Sequence, residues 1–191
     1  MLTLKFMEHK RKIEYADDDT ESVVTLIRLR LPVLFIGLVL GIFISFLTSR
    51  FEEVLSHNIR AAFFLPFIAY IAAAVGTQTE AIYTRDLKSG KARFHNYLVK
   101  ETALGMVIGL LFGIISWFIL RMWLQDPKLG LSVGISVAVV VACAPLIALL
   151  VAETSKRFKQ DPAADTGPLA TVIQDMISVI IFGLVCSVIL L

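Results

Sequence analysis

Two cysteines and three histidines are the only thiol and imidazole groups in this chain of 191 residues. Cys143 and Cys186 both lie in apolar runs, where a thiol behaves as a small hydrophobe, so a disulfide is not expected. His9, His57 and His95 fall in the N-terminal segment or in the connections between apolar runs. That placement argues against a histidine-ligated metal centre and supplies no nucleophile with a nearby base, so the chain is not expected to be an enzyme and needs no cofactor. Basic residues are missing from the middle of every apolar run, where a phosphate or other anion pathway would require them. A net charge of only +2 gives no footprint for nucleic acid. The opening MLTLKFMEHKRKIEYADDDTES is charged throughout and lacks the apolar core of a signal peptide.

What the chain has in abundance is apolar length. Hydrophobic residues make up 57% of it, with a mean hydropathy of +0.79, far beyond the range of water-soluble domains. Five runs are long enough to cross a bilayer as helices: about 32–47, 61–83, 102–122, 129–152 and 166–191. The fold class is therefore an all-α integral membrane protein, multi-pass in the cell's inner (plasma) membrane. Residues 1–31 form a juxtamembrane amphipathic segment on the cytoplasmic side, and residues 32–191 form a five-helix membrane domain. With an odd number of spans, the N-terminal segment and the second and fourth connections share one side. That side holds Lys5, Lys10, Arg11, Lys12, Arg28, Arg30, Arg85, Lys88, Lys91, Arg93, Lys100, Lys156, Arg157 and Lys159, against Arg50, Arg60, Arg121 and Lys128 on the other. The excess of positive charge places the N-terminus in the cytoplasm and the C-terminus outside.

Local patterns refine this outline. Asp19 or Thr20 is a candidate cap for a short surface helix carrying Val23, Val24, Ile27 and Leu31 on one face and broken by Pro32. The acids Asp17, Asp18, Asp19 and Glu21 could attract a divalent cation, although such runs are more often simply solvated. Gly37, Gly41 and Ser45 form a small-residue seam on the first span. On the second, Ala69, Ala73, Gly76 and Glu80 share a face. On the third, Glu101, Gly105, Gly109 and Gly113 share another, and helix packing is the plainer explanation of those glycines. Pro145 is expected to kink the fourth span.

The fifth run carries one acid in its middle. Asp175 lies ten residues past Asp165, which in a helix is roughly 15 Å deeper. An ionised carboxylate near the bilayer centre costs about 2.5–3.5 kcal/mol on insertion scales, so it should face protein, water or an ion. Thr171, Asp175, Ser178 and Phe182 fall on one helical face. Two readings follow: a neutral acid satisfied by a neighbouring helix, or a cation site. Glu80, Glu101, Glu153 and Asp165 all come to the cytoplasmic ends of spans, and Glu80 and Asp165 are expected to guard an acidic inner mouth beneath Asp175.

These residues resemble a known family. Pro66, Gly76, Thr77 and Gln78, followed by Arg85, resemble the second-helix signature of the MgtE magnesium transporters, related to the eukaryotic solute carrier family 41. DPAADTGPLATVIQD, from Asp161 to Asp175, resembles that family's DPA-x2-SGP-x2-TT-x2-D signature. The resemblance spans about residues 28–191. It implies a homodimer in the lipid bilayer with a divalent cation path along the two-fold interface. The carboxylate matching Asp175 would face its twin there and hold hydrated Mg2+. Thr171 would contribute a carbonyl or hydroxyl, and Gly76, Thr77 and Gln78 would line the path. The cytoplasmic N and CBS domains of longer members have no counterpart in this sequence. Ala72, Ala73 and Ala74 stand in place of a Gly-Gly-Asn, Val172 replaces the second Thr of the signature, and Thr166 replaces its Ser. Loss of the amide at Ala74 together with the extra carboxylate at Glu80 leads us to expect broader selectivity, with Mn2+ or Ca2+ accepted beside Mg2+. Proton- or Na+-coupled exchange of a divalent cation, and a non-transporting membrane assembly subunit, are the alternatives.

Overall fold

The structure, a computed structural model, describes residues 19–157 and 162–191, with Arg157 and residues 162–166 described by their backbone alone. Seven helices make up these residues: α1 (Val23–Ser49), α2 (Glu52–His57), α3 (Ile59–Ala62), α4 (Leu65–Lys88), α5 (Phe94–Leu124), α6 (Pro127–Arg157) and α7 (Pro162–Leu190). Five spans, with α3 and α4 together forming the second, are long and apolar enough to cross a membrane. The five expected spans are present in the expected order, all helical. The spans are longer than hydropathy alone marked out, because helical hydrogen bonding continues into the polar flanks wherever nothing interrupts it. At 31 residues each, α5 and α6 reach about 46 Å, more than the hydrocarbon thickness, so they tilt or project their ends into the headgroups.

The expected break at Pro32 does not occur. α1 runs unbroken from Val23 to Ser49 with Pro32 inside it. In an apolar medium a broken helix would strand several backbone groups, whereas a proline within it strands one carbonyl, so continuity wins. The cap is Ser22, not Asp19 or Thr20: its Oγ accepts from the Thr25 N–H at 3.3 Å. Asp17 and Asp18, two of the four acids in the N-terminal cluster, lie outside the described residues. α1 packs chiefly against α7, with Val172 3.9 Å from where a Gly37 Cβ would stand. Its expected small-residue seam is only partly used, since Ser45 is exposed and Gly41 has nothing within 4 Å.

The core is centred on α6, which packs against α4, α5 and α7. Leu129, Val133, Val137 and Val141 are fully buried along it. Its contact with α5 is backbone against backbone. A Cβ on Gly109 would lie 2.4 Å from the Ala138 carbonyl oxygen, one on Gly113 2.6 Å from the Gly134 oxygen, and one on Gly105 2.9 Å from the Pro145 ring. The three glycines therefore serve packing, as their spacing indicated, and Pro145 sits within a continuous α6. The α5–α6 turn is two residues long: Gln125 adopts a left-handed conformation (φ 53°). Asp126 then caps α6 by accepting from the Leu129 N–H at 3.0 Å and also takes the Asn58 amide at 3.3 Å, which ties the α2–α3 connection to this end of the bundle.

Candidate functional site

α7 is helical for the reason its sequence advertises: a run of leucine, isoleucine, valine and alanine with prolines only in its first turns. Asp175 stands at its midpoint. The polar face predicted for this helix is divided along its length. Ser178 and Phe182 are buried, at 1% and 0% exposure, and the Ser178 hydroxyl donates to the Gln174 carbonyl at 2.7 Å. Thr171 and Asp175, on the same face toward the start of the helix, are only half-buried. The face is thus closed on the C-terminal half of α7 and opens at Asp175.

The residue beside Asp175 carries a role that the sequence pattern missed. Gln174 is 2% exposed, and its amide donates to the Ala144 carbonyl of α6 at 3.3 Å. The same amide lies where a Gly76 side chain would be, within 1.9 Å of a Cβ built there. Gly76 is therefore bare so that α4 can close on α7. The signal was present, since a polar residue one position from an intramembrane acid demands a partner. Nothing in the spacing said which helix would supply it. Of the three adjoining α4 residues expected to line a path, the structure separates Gly76, buried against α7, from Thr77 and Gln78, which are exposed on the outward face of α4.

The acids of the spans sort into two groups. Glu101 accepts the Thr79 hydroxyl at 2.8 Å. Glu153 accepts the Tyr83 hydroxyl at 2.8 Å and pairs with Lys156 at 3.4 Å. Asp86 accepts the Tyr97 hydroxyl at 2.5 Å and pairs with Arg85 at 3.0 Å. These three are held by the protein. Among the described residues no donor reaches the carboxylate of Asp175 or of Glu80. The reading of Asp175 as an acid satisfied by a neighbouring helix thus finds no partner for it. Glu80 reaches α7, one of its oxygens lying 3.7 Å from where a Gly167 Cβ would stand. It is half-buried, and Gly167 stands two turns before Asp175 on that helix. The Asp165 side chain lies outside the described residues.

No three histidine, cysteine, aspartate or glutamate side chains cluster tightly enough to chelate a metal among the described residues. These residues therefore build no all-protein cage for a metal within one chain.

Residues 65–185, from the start of α4 to near the end of α7, match the MgtE family profile, described as a divalent cation transporter. The magnesium transporter MgtE of Bacillus subtilis is 28% identical over 167 residues, covering 86% of this chain and 37% of the relative. That of Enterococcus faecalis is 28% identical over 161 residues, covering 83% and 36%. That of Thermus thermophilus is 27% identical over 160 residues, covering 80% and 34%. The chain spans little more than a third of the length of these relatives. The family is one of transporters and not of enzymes, and its matched region here contains α4 to α7 with both Glu80 and Asp175. This multi-pass membrane protein belongs to the MgtE divalent cation transporter family.

Proposed function

We propose that the chain carries Mg2+ across the membrane, that two copies form the path between them, and that Asp175 is its central ion-holding group. The observation that carries the reading is the state of Asp175: a carboxylate at mid-helix, half-open, with no protein donor among the described residues, on a face sealed at Ser178 and Phe182. Such a group is costly in a bilayer unless a cation or water compensates it. Mg2+ gives up its water reluctantly and is commonly held by one or two carboxylates through that water. A two-fold axis turns one Asp175 per chain into two facing charges, which supplies what a single chain lacks. The names of the relatives point to the same ion.

Thr171, one turn before Asp175, would offer its carbonyl or hydroxyl to the ion's shell. Glu80 and Asp165 would draw cations to the mouth, and Gly76 would let α4 and α7 close around it. Thr77 and Gln78, exposed on α4, would face the partner copy. The charge bias of the connections puts this mouth in the cytoplasm. Purified chain reconstituted in liposomes should load a Mg2+-sensitive dye, and chemical cross-linking should trap a dimer. Tight, chain-containing vesicles that admit no Mg2+ would exclude the transport reading.

Glu80 should set selectivity. Ala74 offers no amide, and Glu80 offers a carboxylate that accepts direct contact with ions shedding water more readily than Mg2+ does. Glu80→Ala is expected to weaken Mn2+ and Ca2+ competition about tenfold and Mg2+ only about threefold, in keeping with the looser hydration of the larger ions. Equal losses for all three ions, or none, would place Glu80 outside the path.

A further inference from the structure

A polar cavity lies at the end of the bundle where α4 turns into α5. It has a volume of about 400 Å³, and its lining includes Ile82, Lys91, Arg93, Asn96, Lys100 and Glu101. Nothing in the transport reading uses it. Its chemistry is unbalanced in three respects. First, among the described residues no carboxylate lies within 4.0 Å of Lys91, Arg93 or Lys100. Lys91 feels the field of Asp86, but the oxygens of Asp86 already serve Tyr97 and Arg85, and Glu101 already serves Thr79. Second, α5 begins here without a side-chain cap and without an acid in its first turn, and its N-cap residue is Arg93. A helix start bears partial positive charge, so cations there stand against the ordinary preference unless an anion is present. Third, next to the lining residue Lys100 along α5 stand exposed apolar side chains, Val99 at 58% and Leu104, one turn further on, at 50% exposure, which a membrane-spanning helix turns toward lipid.

We propose that this cleft binds the phosphate-bearing headgroup of an anionic membrane lipid. The phosphate would lie between Arg93 and Lys100 over the uncapped start of α5, with the Asn96 amide and Lys91 within reach. The acyl chains would run down α5 past Val99 and Leu104. An uncapped helix start with flanking cations is a ready anion site. Basic recesses between membrane helices favour anionic headgroups in the same way. Soluble phosphate shares the headgroup chemistry. It has no use for the exposed apolar side chains that follow Lys100 on α5, and those side chains make the lipid the occupant.

Native mass spectrometry of the full-length chain tests this. Released from micelles doped equally with phosphatidylglycerol and phosphatidylcholine, the protein should retain the former at least fivefold more. Arg93→Gln with Lys100→Gln should lower phosphatidylglycerol retention roughly thirtyfold, the effect of removing two basic charges beside an anionic group. Arg93→Lys with Lys100→Arg should retain it, and the control Arg50→Gln with Lys128→Gln, at the opposite end, should leave it unchanged. If the double glutamine variant does not fold, Lys100→Gln alone should show about a fivefold loss. Equal retention of the two lipids, or undiminished retention in the glutamine variants, would overturn the proposal. Displacement of phosphatidylglycerol by millimolar inorganic phosphate would identify a soluble anion as the occupant and overturn it equally.

Discussion

Asp175→Asn is expected to reduce Mg2+ flux through reconstituted protein about a hundredfold, equivalent to about 2.7 kcal/mol, with dimer content and chain abundance unchanged. The amide keeps the size and hydrogen-bonding capacity of the side chain, so helix packing has no reason to alter. What disappears is a full charge per copy in a region of low dielectric constant. A divalent ion about 4.5 Å away, through one layer of water, gains on the order of 7 kcal/mol from each carboxylate at an effective dielectric of 20, before any desolvation cost is set against it. An amide dipole recovers only part of this. The retained fraction should be larger for Asp175→Glu, which keeps the charge and displaces it by one methylene. Wild-type flux in the asparagine variant, at matched protein levels, would remove Asp175 from the path.

Gly109→Ala should be the most damaging single-methyl addition in the bundle. The new Cβ would lie 2.4 Å from the Ala138 carbonyl oxygen and 3.0 Å from the Ala142 nitrogen. Both are backbone atoms of α6, so no side chain can swing aside and the two helices must separate. Overpacking of this kind costs about 1–3 kcal/mol, here at the contact around which the core is built. Gly41→Ala is the matched control: it adds the same methyl to a membrane helix, in open space. Thermal unfolding in detergent should show a lowered midpoint for Gly109→Ala and an unchanged or slightly raised one for Gly41→Ala. Equal midpoints would mean that α5 and α6 are not in backbone contact.

The outcome at these glycines shows what pattern alone can reveal. Hydropathy marks five spans because each must hide its backbone from lipid by itself, which makes span number a local property. The α5 seam was legible for a related reason, since Gly105, Gly109 and Gly113 repeat at the spacing of one helical face. Partnership between helices is not local. Gly37, Gly41 and Ser45 have the same spacing, yet only Gly37 of the three lies close to α7. Asp175 stood out as a lone acid in an apolar run. The pairing of Gln174 with Gly76 and with the Ala144 carbonyl did not, because it joins residues of three helices far apart in the chain. Likewise Glu80, Glu101 and Glu153 look alike in sequence. Two of them are held by hydroxyls, from Thr79 and Tyr83, that only the folded arrangement brings near.

The attachment of α1 has a mechanical consequence. This helix leans chiefly on α7, through contacts such as Gly37 with Val172, and most of its surface is exposed, Val33 being its only buried residue. α7 itself is packed against α4 and α6. A sideways or rotational load on α1 is therefore passed chiefly to α7, where Val172, beside Gly37, stands three positions from Asp175. Lateral pressure from the bilayer on α1 would thus fall on the helix that carries Asp175 before reaching the rest of the bundle, and α6 and α4 would resist it through their own packing on α7.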